Sequence, residues 1–375
     1  MSEEQRTILL AGGGTGGHLY PGIAVAQALR RALPDARPLF LCTRREIDTT
    51  ILTPTGFEFI AQPIVPPVKT VGGLLKFWMS WRETKDLVQR VLRERQPAAV
   101  IGLGGYAAGR AVRLGADGGV PTVILNPDVI PGRANQYLMR HVDAACCQFD
   151  ATCQHVPEKL RPKLRITGCP IREEIRALPT REAAAARLGL QPRVHTLVIT
   201  GASQGAQTVN EAVIETLATV KLQGWQILHL SGKEHAERVR GEYRERDMPA
   251  GVIDFTPAMA DVWAVADLAV ARAGASTCAE LTACGVPSVL MPYPYHRDMH
   301  QRANAQVLQD AGAAVLMDDA RDRKRNAERL RPIVESLLYD ADRRTAMSEA
   351  ARALGKPDAA DQVAQVITQM LAAGR

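Results

Sequence analysis

Residues 7–22 read TILLAGGGTGGHLYPG, which is an apolar run, a glycine loop and the beginning of a helical pattern. Short apolar runs are typical of buried parallel strands, and apolar residues continue at helical spacing over residues 21–33. The same order returns in the second half, where the apolar run 196–200 is followed by GASQG and by a helical pattern over residues 209–217. Because each half opens with a strand, a loop and a helix, the sequence predicts an α/β fold of two Rossmann-like domains.

The rest of the chain continues the alternation of apolar runs and helical patterns. Further strand candidates are residues 38–42, 98–102, 122–125, 226–230, 251–255, 268–271 and 288–291. Helical patterns lie between most of them, which predicts parallel sheets with right-handed crossovers. The length of 375 residues also suits two domains of roughly 100–200 residues each.

The predicted domain boundary lies near Gly168-Cys169-Pro170, between the two halves. It gives an N-terminal domain of residues 1–170 and a C-terminal domain of residues 171–375, and we expect the two to face each other across a cleft. A helical pattern over residues 358–373 either ends the second domain or returns to the first, and the sequence leaves both possibilities open.

Composition narrows the classes of partner. The formal charge of +6 and the pI of about 9.0 favour anionic partners such as phosphorylated ligands or an acidic lipid surface. The sequence contains no zinc-finger, heptad or aromatic RNA-binding signature, so nucleic acid is not an expected partner. The seven cysteines form no CxxC pair, which indicates a reducing cytosol and disfavours a disulfide framework or a zinc site. No apolar run reaches about 18 residues, so no membrane-spanning helix is expected.

The glycine loop fits the GxGxxG pattern through Gly12, Gly14 and Gly17. Glycines let the backbone approach a diphosphate, and the helix that follows offers N–H groups at its positive end. A dinucleotide-binding fold also needs an acidic residue at the end of the second strand, but this chain reads Cys42-Thr43-Arg44-Arg45 there, which disfavours NAD(P). We expect neither a cofactor nor a metal, because the acidic stretch Asp340-Ala341-Asp342 lies in a charged helical segment away from the strand ends.

His18 directly follows the glycine loop, at the start of the predicted helix. A lone histidine in such a place is often only a surface or capping residue. At the tip of a glycine loop that faces the predicted cleft, however, a neutral imidazole can accept a proton from an attacking hydroxyl group. His18 is therefore the leading candidate for a general base.

Two stretches of the second half carry further ligand-binding patterns. Ser203-Gln204-Gly205 offers a hydroxyl group and loop amides at a helix start, although an ordinary tight turn would look the same. Residues 272–281 read RAGASTCAEL, with Glu280 about one turn into a helix. This stretch suits either a phosphate cradle with a carboxylate near sugar hydroxyls or a plain helix cap. Residues 296–305 follow the last strand candidate, so we expect their polar side chains at the ligand edge of the sheet.

In this order, the motifs resemble those of the glycosyltransferases of the two-domain B fold, and among them the enzymes that add N-acetylglucosamine to a muramyl-pentapeptide on undecaprenyl diphosphate. The resemblance extends from Ile8 to about Leu316. It rests on residues 13–18 with 21–22, 102–106, 168–172, 201–206, 272–280, and 300–301 with 304–305. It implies UDP-N-acetylglucosamine as the donor, a polyprenyl-diphosphate-linked acceptor, and transfer with inversion of the anomeric carbon in peptidoglycan synthesis.

The resemblance also implies roles for individual residues, with His18 at the reacting centre. The expected substrate-binding residues are Thr15, Gly16 and Gly17 for the sugar and diphosphate, Arg172 and Ser203 for the nucleotide, Thr256 for uracil, Ala275, Ser276 and Thr277 for the diphosphate, Glu280 for the ribose, and His300 and Gln301 for the sugar hydroxyls. Helix N-termini near Ser203 and Ser276 are expected to stabilise the departing diphosphate.

Three positions depart from the family pattern. Asp128 and Cys169 stand where the family has asparagines, and Gln207 stands where it has an arginine. Since a carboxylate can accept a proton, Asp128 is a second candidate for a catalytic base beside His18.

Residues 74–82 read LLKFWMSWR and contain two of the four tryptophans. Apolar and aromatic side chains beside cations suit an interfacial helix on an anionic bilayer, although the same stripe could be buried in the first domain. The expected membrane contacts are Leu74, Leu75, Phe77, Trp78 and Trp81, flanked by Lys69, Lys76, Arg82 and Lys85. With a lipid-borne acceptor, this segment predicts a peripheral protein on the cytoplasmic face of the cell membrane.

Three alternative functions stay open. A transferase of the same fold could act on another lipid, such as a diacylglycerol or a different polyprenyl carrier. A UDP-N-acetylglucosamine epimerase shares the two-domain design, but the amphipathic segment 74–81 argues against it. A non-catalytic binding module is disfavoured because His18 and Glu280 are both present.

Overall fold

The computed structural model describes residues 5–68, 70–201, 205–295 and 298–374. The chain forms two compact units. The first unit consists of Met1–Arg172 and Pro357–Arg375, and the second unit consists of Glu173–Lys356. Each unit has a parallel sheet as its central layer and helices on both sides of it.

The first unit contains a seven-stranded parallel sheet in its described part. Its strands are β1 (Arg6–Ala11), β2 (Ala36–Thr43), β3 (Glu58–Gln62), β4 (Ala99–Gly102), β5 (Thr122–Asn126), β6 (Ala144–Cys147) and β7 (Leu164–Ile166). The order across the sheet is β3-β2-β1-β4-β5-β6-β7. The strand order reverses its direction between β1 and β4, and such a switch point opens a ligand crevice at the carboxyl ends of the strands.

Helices cover both faces of the first sheet. They are α1 (Gly16–Ala32), α2 (Glu46–Leu52), α3 (Val71–Arg95), α4 (Gly105–Asp117) and α5 (Arg133–Leu138), with short 3-10 turns at Thr53–Thr55, Asp150–His155 and Glu158–Lys163. Leu19 and Leu29 of α1 are buried against one face, and Ala108 and Val112 of α4 are buried against the other. Because both faces are covered, β1 is continuously apolar over its buried residues instead of alternating.

The second unit has a six-stranded parallel sheet in its described part. Its strands are β8 (His195–Thr200), β9 (Trp225–Leu230), β10 (Ala250–Ile253), β11 (Ala266–Ala271), β12 (Ser288–Leu290) and β13 (Ala314–Leu316). The order is β10-β9-β8-β11-β12-β13, which reproduces the order of the first six strands of the first sheet. The switch point of the second unit therefore lies between β8 and β11.

The helices of the second unit surround this sheet and bury one apolar cluster against it. They are α6 (Glu173–Arg176), α7 (Arg181–Leu188), α8 (Gln207–Leu217), α9 (Ala236–Glu245), α10 (Met259–Val265), α11 (Ala275–Cys284), α12 (His300–Asp310), α13 (Arg323–Tyr339) and α14 (Ala341–Leu354). α8, α11 and α12 follow β8, β11 and β12, so all three begin at the carboxyl edge of the sheet.

The last helix, α15 (Ala359–Ala372), belongs to the first unit and packs on α1. Val363 and Ile367 are fully buried in the apolar cluster that α1 also forms. At the edge of this contact, Arg31 Nη2 donates a hydrogen bond to Asp361 Oδ1 at 2.7 Å. Of the two arrangements that the sequence leaves open for this helix, the structure has the return to the first unit.

The expected pair of Rossmann-like domains is confirmed by the two sheets. Each predicted strand corresponds to an observed one, although the candidate 251–255 extends beyond β10, which ends at Ile253. β3, β6, β7 and β13 were not predicted. β3 is a partly exposed edge strand, and β7 and β13 have only three residues each, so none of these offers a long apolar run.

Candidate functional site

The glycine loop lies between β1 and α1, at the switch point of the first sheet. Gly12, Gly13 and Gly14 have φ angles of +156°, +151° and +84°, in the region that favours glycine. A Cβ atom on Gly12 would lie 2.6 Å from Leu103 Cβ, and one on Gly13 would overlap Asp48 Oδ2. Both conformation and space therefore require glycine in this loop.

α1 starts directly after the loop, and among the described residues no side chain caps its first turn. The first N–H groups of a helix have no partner within the helix, so an uncapped start is suited to an anion. Thr15 and Gly17 are exposed, and Gly16 is half-buried. The three residues that the sequence predicts to contact sugar and diphosphate thus form an open helix start.

His18 lies in the first turn of α1 and is held from two sides. Its Nδ1 atom is 3.3 Å from the carbonyl oxygen of Gly13 and 3.3 Å from Thr15 Oγ1. A Cβ atom on Gly104 would lie 3.1 Å from the imidazole, and one on Gly105 would lie 3.0 Å from it. This glycine pair lets the backbone after β4 approach the imidazole closely, so His18 connects the loops that follow β1 and β4.

Burial lowers the pKa of His18 below its ordinary value, because an imidazolium ion would lose hydration there. The hydrogen bond to Gly13 and the negative charges of Asp128 and Asp48 act in the opposite direction without reversing the shift. The imidazole is consequently neutral at physiological pH, which is the form that can accept a proton.

Asp128 lies in the loop after β5, and its carboxylate acts electrostatically on His18. Asn126 fixes this loop, because its Nδ2 donates to the carbonyl oxygen of Asp128 at 2.8 Å. Asn135 Nδ2 in turn donates to Asn126 Oδ1 at 3.1 Å and to the carbonyl oxygen of Leu125 at 2.9 Å. The structure thus brings both candidate bases to the carboxyl edge of the first sheet.

Arg172 is the last residue of the first unit before the chain enters the second. Its side chain is buried, and its guanidinium carbon lies 4.7 Å from the ring centroid of Tyr20, a cation–π geometry. Tyr20 is in the first turns of α1, in the same helix as His18. The arginine that the sequence predicts to hold the nucleotide is therefore packed beside the helix start that carries His18.

In the second unit, α11 begins where the loop after β11 ends. Gly274 is the N-cap residue and has no side chain with which to cap the helix. The first turn, Ala275-Ser276-Thr277, consequently presents its backbone N–H groups toward the carboxyl edge of the sheet. Asn304 Nδ2 donates to the carbonyl oxygen of Ala273 at 3.2 Å and fixes the loop. Such a helix start at a switch point is suited to phosphate.

Arg272 anchors the same loop through a buried ion pair. Its Nη1 donates to Asp319 Oδ2 at 2.8 Å and to the carbonyl oxygen of Met291 at 2.9 Å, and its Nη2 donates to Thr208 Oγ1 at 2.6 Å. The side chain of Asp319 is fully buried, and that of Arg272 is 8% exposed. These contacts join the ends of β11 and β12 to α8, and so they set the relative positions of the three loops.

Glu280 is half-buried in α11. Its Oε2 accepts a hydrogen bond from Trp263 Nε1, in α10, at 2.8 Å. Because an indole N–H can only donate, this contact orients the carboxylate of Glu280. A carboxylate held in this way can accept hydrogen bonds from the hydroxyl groups of a sugar.

The residues predicted to bind the sugar begin α12. Gln301 Oε1 accepts a hydrogen bond from the backbone N–H of Tyr293 at 2.9 Å, so the Nε2 end of the amide is turned away from that backbone. His300 Nδ1 lies 2.7 Å from Asp298 Oδ1. Both side chains are thus oriented by the loop between β12 and α12.

Thr256, predicted to present its backbone to uracil, follows β10. Its Oγ1 accepts a hydrogen bond from the backbone N–H of Ala258 at 3.1 Å, which orders the turn, and the neighbouring Phe255 is exposed. Ser203 and Lys69, which the sequence also singles out, lie outside the described residues.

The structure divides the residues predicted to contact a membrane. Leu74, Leu75 and Trp78 of α3 are 48%, 61% and 67% exposed. Phe77 and Trp81 are half-buried. The guanidinium carbon of Arg110, in α4, lies 4.3 Å from the ring centroid of Trp81, so Trp81 packs on the first unit itself. Within the described residues, no helix combines the length and the apolar character needed to cross a membrane.

Sequence reasoning missed three residues that build these sites. They are Asp48, Trp263 and Asp319, and none of them belongs to a motif. Each contacts its partner across a long stretch of chain, as Asp319 does with Arg272, 47 positions away. Local spacing carries no signal for contacts of this kind.

Comparison with known proteins finds relatives along almost the whole chain. Residues 8–147 match the glycosyltransferase family 28 N-terminal domain, and residues 196–363 match the glycosyltransferase family 28 C-terminal domain. A protein of Bacillus cereus is 33% identical over 374 residues, which cover 97% of this chain and 99% of that protein. It is named UDP-N-acetylglucosamine--N-acetylmuramyl-(pentapeptide) pyrophosphoryl-undecaprenol N-acetylglucosamine transferase 1.

Solved structures share the fold at lower identity. MurG of Acinetobacter baumannii matches with a TM-score of 0.74 at 24% identity, covering 97% of this chain and 100% of that chain. A UDP-N-acetylglucosamine 2-epimerase matches with a TM-score of 0.64 at 12% identity, covering 96% of this chain and 95% of that chain. Since an epimerase has this architecture too, the fold alone does not separate sugar transfer from epimerisation.

Proposed function

This chain belongs to glycosyltransferase family 28, and we propose that it transfers N-acetylglucosamine from UDP-N-acetylglucosamine to a muramyl-pentapeptide carried on undecaprenyl diphosphate. The Bacillus cereus relative bears this activity in its name. The observation that carries the proposal is the neutral His18, held by Gly13 at an open helix start of the first sheet. The transfer is a step of peptidoglycan synthesis, so the protein would serve cell-wall growth, cell shape and division.

We assign the donor mainly to the second unit. The N–H groups at the start of α11, in Ala275, Ser276 and Thr277, would hold the diphosphate. Glu280, oriented by Trp263, would accept hydrogen bonds from the ribose hydroxyls. The remaining assignments in the second unit are Thr256 to uracil, His300 and Gln301 to the hexose, and Ser203 to the nucleotide. Arg172, the last residue of the first unit, is a further candidate for the nucleotide.

We assign the proton transfer to the first unit. A hydroxyl group of the acceptor attacks the anomeric carbon of N-acetylglucosamine, and the bond from that carbon to the diphosphate oxygen breaks. UDP leaves with the electron pair, His18 Nε2 takes the hydroxyl proton, and one displacement inverts the anomeric centre. Backbone N–H groups at helix starts stabilise the charge on the departing diphosphate. Asp128, whose charge acts on His18, is the second candidate for the base.

The first turns of α3 suit the membrane surface on which a lipid-borne acceptor lies. Leu74, Leu75 and Trp78 expose apolar surface, and the exposed cations Lys76 and Arg82 lie in the same helix. This combination is typical of helices that bind the interface of an anionic bilayer. We therefore propose peripheral attachment to the cytoplasmic face of the membrane, with Leu74, Leu75 and Trp78 as the main contacts and the half-buried Phe77 and Trp81 beside them.

Transfer of labelled N-acetylglucosamine from its UDP conjugate tests the function. Undecaprenyl-diphosphate-muramyl-pentapeptide should become labelled, whereas diacylglycerol and undecaprenyl phosphate should not. A parallel incubation without any acceptor detects epimerisation of the UDP-sugar. Labelling of a different lipid, or epimerisation without transfer, would replace the proposal with the corresponding alternative.

A further inference from the structure

Asp48, in α2, is fully buried beneath the glycine loop. Its two carboxylate oxygens accept hydrogen bonds from the backbone N–H of Gly14 at 2.7 and 2.9 Å. Oδ2 also accepts from the backbone N–H of Thr43 at 2.8 Å and from Thr43 Oγ1 at 2.7 Å. Each of these partners is a donor, and a carboxylate can accept from all of them.

This carboxylate shapes the part of the loop that touches His18. Gly13 passes so close to Asp48 Oδ2 that a Cβ atom would overlap it, and the carbonyl oxygen of Gly13 lies 3.3 Å from His18 Nδ1. A carbonyl oxygen can only accept a hydrogen bond. Thr15 Oγ1, the other group 3.3 Å from Nδ1, can donate or accept, so the Gly13 carbonyl favours the neutral tautomer with the proton on Nδ1 and the lone pair on Nε2.

We propose that Asp48 is a positioning residue for His18. By holding the N–H of Gly14, it keeps the Gly13 carbonyl oxygen on Nδ1 and so selects the tautomer in which Nε2 is free of a proton. The link runs through the backbone of the glycine loop and needs no direct bond between carboxylate and imidazole. The inference rests on the proposed function, in which His18 takes the proton of the acceptor hydroxyl.

Other titratable and charged groups face the same loop. Arg45 Nη1 donates to the carbonyl oxygen of Gly14 at 2.7 Å, and the hydroxyl of Tyr106 would lie 3.5 Å from a Cβ on Gly14. Burial lowers the pKa of His18, whereas Asp128 and Asp48 raise it. Removing the charge of Asp48 should therefore lower the pKa of His18 further.

Asp143 offers a matched control within the same unit. Its Oδ2 accepts from the backbone N–H of Thr122 at 2.9 Å and from Thr122 Oγ1 at 3.2 Å, the same kinds of donor that Thr43 offers to Asp48. Thr122 is the first residue of β5, so this contact lies at the amino ends of the strands, whereas His18 lies at their carboxyl ends. Asp48→Asn and Asp143→Asn thus make the same chemical change, but only the first touches the glycine loop.

NMR spectra of the full chain with ¹⁵N-labelled histidine report the tautomer and pKa of His18, whose signals are identified by their loss in His18→Ala. In the unmodified protein we expect the proton on Nδ1. In Asp48→Asn we expect a lower pKa, loss of the single tautomer, and a kcat about 10²-fold lower, as for a misplaced catalytic group. KM for UDP-N-acetylglucosamine should not change. Asp143→Asn should leave the tautomer and pKa of His18, kcat and KM at their wild-type values.

The proton on Nε2 in the unmodified protein would overturn the inference, and this measurement needs no variant to fold. A folded Asp48→Asn protein with the wild-type tautomer and kcat would overturn it as well. Failure of the proposed function gives a different result, namely no transfer of N-acetylglucosamine to the lipid acceptor by the unmodified protein, whatever tautomer the imidazole has.

Discussion

The six strands of the second sheet have the same order as the first six strands of the first sheet, yet different side chains lie at the two switch points. In the first unit, the helix after the loop begins with the titratable His18, and the charges of Asp48 and Asp128 act on it. In the second unit, α11 begins with small and hydroxyl residues, and its carboxylate, Glu280, is oriented by Trp263. Strand order therefore determines where the ligand-binding end of each sheet lies. The side chains at that end determine whether it takes part in proton transfer or in ligand binding.

This difference has a kinetic consequence. A residue that acts only on the transferring proton affects kcat, whereas a residue that binds donor in both the ground and the transition state affects KM. Substitutions at the first switch point should therefore lower kcat, and substitutions at the second should raise KM for the UDP-sugar.

His18→Ala has the largest expected effect. Loss of a positioned general base should lower kcat by about 10²–10⁴-fold, while KM for UDP-N-acetylglucosamine stays near its wild-type value. Steady-state transfer kinetics measure both quantities, with His155→Ala, an exposed histidine of the same unit, as the control. Near-wild-type turnover in His18→Ala would show that His18 is not the base and would leave Asp128 as the candidate. It would also contradict the proposed difference between the two units, which depends mainly on His18.

Removal of the cations of α3 should weaken membrane binding. The residues to change to glutamine are Lys76, Arg82 and Lys85. Each cation near an anionic bilayer contributes about 1 kcal/mol, so binding should fall about 10²-fold at low salt. Co-sedimentation with vesicles containing phosphatidylserine measures this change.

The matched control removes the same number of charges from the second unit. The exposed residues to change in α13 are Lys324, Arg325 and Arg329. Binding should stay close to wild type in this control. An equal loss in both triple variants would show that net charge, and not α3, attaches the protein to the membrane.

Glu280→Ala should raise KM for UDP-N-acetylglucosamine by about 10- to 100-fold, the effect of losing hydrogen bonds to a charged group. The kcat at saturating donor should change little. Trp263→Phe keeps the aromatic packing but removes the N–H that orients Glu280, so its KM should rise by a smaller factor. An unchanged KM in Glu280→Ala would show that Glu280 does not bind the ribose.

The smallest expected effect is a shift of the pH profile. Burial lowers the pKa of His18 from the ordinary value of 6.5, and an imidazolium ion cannot accept a proton. The value of kcat/KM should therefore fall as the pH drops through a pKa below 6.5. Asp128→Asn removes a charge that raises this pKa, so the acid limb should move to lower pH. Movement to higher pH would contradict the electrostatic link between the two residues.

The sequence predicts the features that depend on local pattern. The apolar run of β1, the glycines that follow it and the start of α1 are adjacent in the chain, so their order already indicates a Rossmann-like unit. The short strands β7 and β13 lack such a pattern, because three residues show no periodicity. At the sites, the principal polar residues stand in motifs, but the groups that orient them do not.

Asp48 shows why the rest could not be predicted. Its hydrogen bond to Gly14 joins residues 34 positions apart, and only the packing of α2 against the glycine loop brings them together. The same reasoning applies to Trp81. Its place in an aromatic segment predicts contact with a membrane, but its half-buried ring also packs on Arg110 of a neighbouring helix, 4.3 Å from the ring centroid.

A crystal structure of the full chain with UDP-N-acetylglucosamine tests the division between the two units most directly. We expect the diphosphate on the N–H groups of Ala275, Ser276 and Thr277, and the ribose hydroxyls on the carboxylate of Glu280. A nucleoside bound at the glycine loop of the first unit, with Glu280 away from the ribose, would contradict the assignment of donor and proton transfer to separate units.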